Sequence, residues 1–248
     1  MTPTNLRAAT DPLIGTLVTT ASEEHAEALA GCGLDWLFID AEHGPLDIGD
    51  IQRVVRAAGD DILTLVRVPE ASGTWIERVL GTGCSGVIIP KVNSAAEARE
   101  LVGAAQYPPV GTRGVGPMRA QGYGNGTAAD LAATNANVLV VVQAEHIDAV
   151  HAIDEIVAVD GVSAVFIGPY DLSASMGLPG EFTHPDVVAA IARIRDACAA
   201  VGMPVGIFAG NLDRAREVSE GTTMLAVGTD LSWLTGAVRA MAAALRPE

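Results

Sequence analysis

Aromatic residues make up only 4% of the 248-residue chain, whereas hydrophobic residues make up 49%. A core drawn from that pool is aliphatic, which suits a parallel sheet buried on both faces. Basic residues are scarce as well: 15 Lys and Arg stand against 30 Asp and Glu, a net charge of −15. No basic stretch offsets that charge, which argues against a nucleic-acid phosphate backbone as partner and leaves an acidic, solvated surface. The three cysteines, Cys32, Cys84 and Cys198, are far apart and lack metal-ligand spacing. They read as small buried residues of a reducing compartment. No apolar run follows a basic start in Met1 to Asp11, and no segment approaches the ~20 apolar residues of a membrane span. A cytoplasmic protein is expected.

What is present is alternation. Short β-branched runs recur at Ile14–Thr19, Trp36–Ile39, Leu63–Arg67, Gly86–Ile89, Val138–Gln143, Ala164–Gly168, Pro204–Phe208 and Thr223–Gly228. Each is followed by helical spacing, the pattern of βα units. Ile48, Ile51, Val54 and Val55 share one helical face, as do Val187, Val188, Ile191 and Ile194. Ser94 with Glu97 forms a capping-box pattern, and the last helix is expected from Asp230 to about Leu245. Eight repeats, with no GxGxxG after the first strand, favour a closed (β/α)₈ TIM barrel over a doubly wound sheet. One domain over residues 1–248 is expected. The connection Gln106–Asn137, rich in Gly and Pro, is long enough to be functional or disordered.

Parallel barrels carry their chemistry at the C-terminal strand ends. That rule gathers Asp40, Glu42 and His43 after strand two, Arg67 at the end of strand three, Glu145 after strand five and Asp171 after strand six. Glu145 and Asp171 are the natural metal pair, because Mg²⁺ and Mn²⁺ take carboxylate oxygens and keep waters open to a chelating 2-oxo acid. His43 is the best candidate for general base, because histidine is the side chain suited to proton transfer at neutral pH. Asp40 and Glu42 are both placed to fix its tautomer, and strand geometry leaves the choice open. Arg67 ends an apolar strand, where a guanidinium needs either a structural carboxylate or a substrate anion. His25 and His151 fall on helices and are expected at the surface, and His184 precedes Pro185 at a helix start. His146 follows Glu145 directly.

The segments Asp35-Trp36-Leu37-Phe38-Ile39-Asp40-Ala41-Glu42-His43, Tyr107-Pro108-Pro109 with Gly111 and Arg113-Gly114-Val115-Gly116, Val142-Gln143-Ala144-Glu145, and Phe166 to Ser175 together carry a resemblance. Over nearly its whole length the chain resembles the HpcH/HpaI aldolase family of metal-dependent class II pyruvate aldolases. The resemblance implies Glu145 and Asp171 as ligands of Mg²⁺, Mn²⁺ or Co²⁺, Arg67 against the pyruvyl group, and His43 with Asp40 as the acid/base unit. It also implies Gln143 beside the substrate and backbone amides of the segment Gly168, Pro169, Tyr170 and Asp171, whose proline offers no N–H, around its carboxylate. Small-molecule 2-oxo acid and aldehyde partners follow, in a hexamer (a trimer of dimers) with exchanged C-terminal helices. The long loop, through Arg119 near Met118, is expected to cover a neighbour's site. The sequence departs from the family at Gly81, where many members carry an Asp that organises the histidine, and at Tyr170, larger than the small residue of some members. Two alternatives accompany this reading. One is a Schiff-base aldolase using Lys91, which needs a depressed lysine pKa. The other is a coenzyme A ester lyase of the citrate-lyase type. A non-catalytic barrel that binds 2-oxo acids is the third possibility.

Overall fold

The computed structural model describes residues 3–246, so the outermost residues of the expected 1–248 domain lie outside the described residues. Eight parallel strands close on themselves in chain order: β1 Leu13–Val18, β2 Trp36–Asp40, β3 Leu63–Arg67, β4 Gly86–Ile89, β5 Leu139–Ala144, β6 Ala164–Ile167, β7 Val205–Ala209 and β8 Met224–Thr229. The expected (β/α)₈ barrel is therefore found, with each strand within a residue of its expected place. Around it run α1 Glu23–Ala30, α2 Ile48–Ala58, α3 Gly73–Gly81, α4 Ala95–Ala105, α5 Ala128–Asn137, α6 Ile147–His151, α7 Ile153–Val157, α8 Pro169–Ser175, α9 Pro185–Ala200, α10 Leu212–Val218 and α11 Asp230–Leu245.

Period-two alternation sorts the strand residues into two cores. Leu37, Ile39, Val66, Val87, Val140 and Val142 face outward and pack beneath the helices. Trp36, Phe38, Leu65, Ile88, Val141, Phe166 and Met224 fill the barrel, and Leu6 of a 3₁₀ turn (Pro3–Ala8) closes its lower end. Three of the chain's few aromatics meet here. Phe38 and Phe166 stand edge-on at 5.4 Å, with Trp36 about equally far from both, at 6.0 and 6.1 Å. The bulk is accommodated by glycine on a neighbouring strand: a Cβ on Gly15 would lie 2.6 Å from the Trp36 ring. Large and small residues alternate around the cylinder, as dense packing demands.

Helix caps agree with the sequence in kind. Ser94 accepts from the Glu97 amide, but the Glu97 carboxylate takes the amide of Asn93 rather than that of Ser94. In α9, Val187 and Ile194 are buried, whereas Val188 is half exposed, so the apolar stripe is narrower than expected. The long connection is not structureless. It holds a 3₁₀ segment, Arg119–Gly124, and then α5, opened by a reciprocal cap between Thr127 and Asp130. That helix buries none of its residues, so its sequence carries no apolar stripe to betray it. No described helix is long and apolar enough to cross a membrane.

Candidate active site

Residues that continue the inward-facing series to the upper strand ends are polar. Asp40 continues Trp36 and Phe38; Arg67 continues Leu63 and Leu65; Gln143 and Glu145 continue Leu139 and Val141. All four are buried, at 2–7% exposure, on an apolar floor. Buried charges on such a floor persist only when paired.

Strand register decides the first pairing. Asp40 lies directly opposite Arg67 across the β2–β3 ladder. The guanidinium donates Nε to Asp40 Oδ1 at 2.9 Å and Nη2 to Oδ2 at 2.7 Å, a two-pronged bond, with its carbon 5.2 Å above the Phe38 ring. Its remaining nitrogen, Nη1, stands 3.1 Å from Glu42 Oε2. Burial works against the charge, but the bonds to Asp40 and the charges of Asp40, Glu42 and Glu145 outweigh it and raise the Arg67 pKa. Two of the five guanidinium N–H groups are donated to Asp40, which leaves donors on Nη1 and Nη2 for Glu42 and for an incoming oxygen.

Asp40 and the His43 imidazole, expected to act as a unit, are not bonded to each other in this structure. Asp40 is committed to Arg67 and reaches His43 only through its backbone amide, which donates to Oδ1 at 3.3 Å. The acid nearest the imidazole is Glu42, whose Oε2 lies 4.0 Å from His43 Nε2. His43 itself is 64% exposed at the mouth, free to meet a ligand. Glu42 is the hub that sequence reasoning left undecided: it touches Arg67, His43 and the Lys91 ammonium at 3.0 Å.

On the opposite wall, Glu145 Oε1 accepts the Lys91 backbone N–H at 2.8 Å, and Oε2 takes the amide of Gln143. Lys91 adopts a left-handed conformation, φ 55°, to aim that N–H. Burial pushes the Glu145 carboxyl up to about 7, with the charges of Glu42 and Asp171 adding to the shift. Gln143 Oε1 is buried without a partner among the described residues. Asp171, exposed, lies in the first turn of α8, a helix whose N-terminus no side chain caps. Gly168, just before it, makes room: a Cβ there would lie 2.8 Å from Glu145 Oε2 and 3.0 Å from Gln143 Nε2.

No three His, Cys, Asp or Glu side chains among the described residues converge as a complete metal cage. The donor set nevertheless fits a hard divalent cation: the charge of Asp171 adds to the cost of ionising Glu145, an amide oxygen stands unpartnered beside Glu145, and such ions keep several waters.

Other expectations resolve differently. Lys91 carries a pKa raised by its bond to Glu42 and by that carboxylate's charge, the opposite of what a Schiff-base nucleophile requires. Gly81 ends α3 at the lower face, beside Met118, so an acid there would stand at the far end of the barrel from the same chain's His43. Arg119, expected to cover a neighbour's site, is anchored within its own chain. Its guanidinium binds the Thr82 and Gly83 carbonyls and Asp60, all on the lower rim of its own barrel. Tyr170 points away from the barrel toward Phe182, with 6.1 Å between ring centroids. His146 and His184 are helix caps, accepting from the amides of Asp148 and Asp186. His25 is partly covered by Thr20, whereas His151 is exposed. Of the cysteines only Cys198 is fully buried, while Cys32 is exposed because it follows α1 on the barrel's outside.

Asp230 was missed altogether. It opens α11 directly after β8 and is 6% exposed. Its carboxylate accepts the hydroxyls of Thr19 and Thr20, each at 2.7 Å, and the Leu231 amide. It seals the β1–β8 seam beside the site. Its place after a strand was the available signal.

Comparison with known proteins agrees with this geometry. Residues 13–237 match the family described as HpcH/HpaI aldolase/citrate lyase. A hydroxypyruvate/pyruvate aldolase of Paraburkholderia phytofirmans is 39% identical over 240 residues, covering 93% of this chain and 92% of that protein. A 4-hydroxy-2-oxovalerate aldolase of Rhodococcus jostii is 39% identical, covering 93% and 90%. The crystal structure of an HpcH/HpaI aldolase/citrate lyase family protein from Burkholderia cenocepacia superposes with a TM-score of 0.94 at 37% identity, covering 99% and 98% of the two chains. A barrel with a carboxylate-and-arginine upper layer, matched over nine-tenths of its length, places this chain in the HpcH/HpaI aldolase/citrate lyase family, among the carbon–carbon lyases.

Proposed function

We propose that the protein is a class II aldolase that makes and cleaves 4-hydroxy-2-oxo acids through the enolate of pyruvate or hydroxypyruvate. The observation that carries this reading is one polar layer with Arg67 fixed on one wall and Glu145 with an unpartnered Gln143 oxygen on the other. Glu145 and Asp171 would hold the divalent cation, Mg²⁺, Mn²⁺ or Co²⁺. Bound there, it supplies a Lewis acid for the ketone and for the enolate charge. Arg67 donates its remaining N–H groups to the oxygen where that charge grows. The free backbone N–H groups opening α8, those of Tyr170 and Asp171, face the substrate carboxylate, with Gly168 and Pro169 shaping the turn and Gln143 beside it. His43, exposed and close to Glu42, takes the proton from the C4 hydroxyl in cleavage or from C3 in synthesis. The 39%-identical relatives named as aldolases favour this chemistry over coenzyme A ester cleavage.

The test is an aldehyde panel with pyruvate and hydroxypyruvate, with and without added Mg²⁺, Mn²⁺ or Co²⁺. Addition products should form only with the ion, vanish with EDTA, and resist trapping by borohydride. His43→Ala should slow turnover by about 10²–10⁴. EDTA-resistant turnover with a borohydride adduct on Lys91 would return the Schiff-base mechanism.

We also propose that the chain works as one aldolase domain within a hexamer that exchanges α11 between subunits. That helix meets its own barrel at β8 and β1, where Trp233 Nε1 donates to Thr16 Oγ1 at 3.0 Å. Beyond that point Leu234, Val238, Met241 and Leu245 are all more than half exposed, an apolar strip a lone chain rarely leaves in water. Replacing Leu234 and Met241 by Ser should shrink the particle seen by light scattering; an unchanged mass rules the exchange out. The unpaired cysteines fit a cytoplasmic site, which fractionation checks.

A further inference from the structure

The chain contains one lysine, Lys91, and it stands at the mouth of the catalytic layer. It follows β4, its partner Glu42 follows β2, and the side chain bridges the end of β3 between them. The ammonium donates to Glu42 Oε1 at 3.0 Å, yet the side chain is 66% exposed. Glu42 does not depend on it: the carboxylate is 6% exposed, and its other oxygen faces the buried Arg67 guanidinium at 3.1 Å. An ion pair with so open a partner adds little to stability and is readily exchanged. Glu42 takes one of the three ammonium donors, which leaves two for a ligand.

The backbone of Lys91 has a separate task. Its left-handed conformation, φ 55°, turns the N–H to Glu145 Oε1 at 2.8 Å. Glycine adopts that conformation without strain, and a residue with a Cβ rarely does. Holding Glu145 therefore needs no side chain here, and the strain of a lysine accompanies an ammonium placed over the site. Four carboxylates, Asp40, Glu42, Glu145 and Asp171, belong to this end of the barrel, on a chain of net charge −15. An acidic ligand approaching them is repelled unless a cation meets it. Arg67 is engaged below with Asp40 and Glu42, so Lys91 is the exposed permanent cation of the cluster.

We propose that Lys91 selects the aldehyde, its ammonium receiving a carboxylate at the far end of the acceptor so that acidic aldehydes are preferred to neutral ones. The inference rests on the aldol reading above. In that reading Arg67 and the wall of Glu145 and Gln143 hold the pyruvyl half, and His43 meets the C4 hydroxyl, the former aldehyde oxygen. One carboxylate separates that imidazole from the ammonium: His43 Nε2 stands 4.0 Å from Glu42 Oε2, and Lys91 Nζ 3.0 Å from Oε1. Carbons beyond C4 leave His43 toward the open mouth, within a short chain's reach of Nζ. The contact is made to atoms that take no part in bond making, so it strengthens substrate and transition state alike.

The test compares the parent with Lys91→Gly, which keeps the left-handed backbone, in pyruvate addition to 4-oxobutanoate and to its uncharged methyl ester. The parent should favour the acid in kcat/KM by about fivefold, the upper range for an exposed ion pair. That preference should shrink as ionic strength rises. Lys91→Gly should lose both the preference and its salt dependence, through a higher KM for the acid with little change in its kcat. Lys91→Asn, also tolerant of that backbone, should behave like Lys91→Gly, whereas Lys91→Arg, still cationic, should retain most of the preference. A role confined to steadying Glu42 would slow both aldehydes together. An acid-to-ester ratio equal in the parent and in Lys91→Gly therefore overturns the inference and leaves the aldolase standing. So does a parent that favours the ester. Absence of any addition product from either aldehyde, with Mg²⁺, Mn²⁺ or Co²⁺ added, removes the aldol reading itself and this inference with it.

Discussion

Arg67→Met should lower kcat/KM for aldol cleavage by at least about a thousandfold, the upper range for removing one charged donor from a developing oxyanion. The loss should fall mainly on kcat, because the donors meet an oxygen whose charge grows in the transition state. The same change strips Asp40 of both its bonds and Glu42 of its buried cation, at 3% and 6% exposure. Breaking a buried pair from one side costs about 3–5 kcal/mol, so urea unfolding should report a much less stable protein. Arg67→Lys should recover part of the stability and little of the rate: an ammonium cannot span both oxygens of Asp40 and still address a ligand. Near-normal cleavage by both variants would remove Arg67 from the mechanism.

Glu145→Gln should abolish tight binding of the divalent cation, measured by Mn²⁺ titration, and reduce cleavage to about a thousandth or less of the parent rate. An amide oxygen can still accept the Lys91 N–H, so the fold should survive. A pH signature accompanies the change. In the cation-free protein the Glu145 carboxyl is pushed up to about 7 by burial, whereas in the unfolded chain it ionises near its ordinary 4.5. Between those values the folded protein binds the extra proton. Stability is therefore highest below the lower value and falls as pH rises toward the upper one, by about 3 kcal/mol. Unfolding curves from pH 5 to 7.5 should show that slope in the parent and a flat line in Glu145→Gln. Saturating cation should abolish the slope in the parent. An identical slope in the variant would move the titration to another group.

Much of this was legible before the structure. The strands announced themselves as β-branched runs, and the rule that parallel barrels carry chemistry at their upper ends singled out Asp40, His43, Arg67, Glu145 and Asp171. Gln143 and Gly168 came from family resemblance alone; the structure supplies the physical reason for Gly168, whose missing Cβ leaves room for Glu145. Where the sequence left a choice open, a non-local contact decided the outcome. The histidine's partner depended on which acid the guanidinium had claimed. Arg119 takes its anchor from the carbonyls closing α3, which lie 36 and 37 residues away in sequence. α5 stayed hidden because a helix that buries nothing needs no apolar stripe.

The sequence by itself determined the cylinder, the inward and outward faces of its staves and the end where polar groups gather, because alternation and helical period are imposed by neighbours along the chain. Tertiary structure alone decided that Asp40 answers Arg67 and that Glu42 joins Arg67, His43 and Lys91. Those outcomes depend on the register between strands and on the few ångströms separating groups 27 or 49 residues apart, distances that only the closed barrel sets.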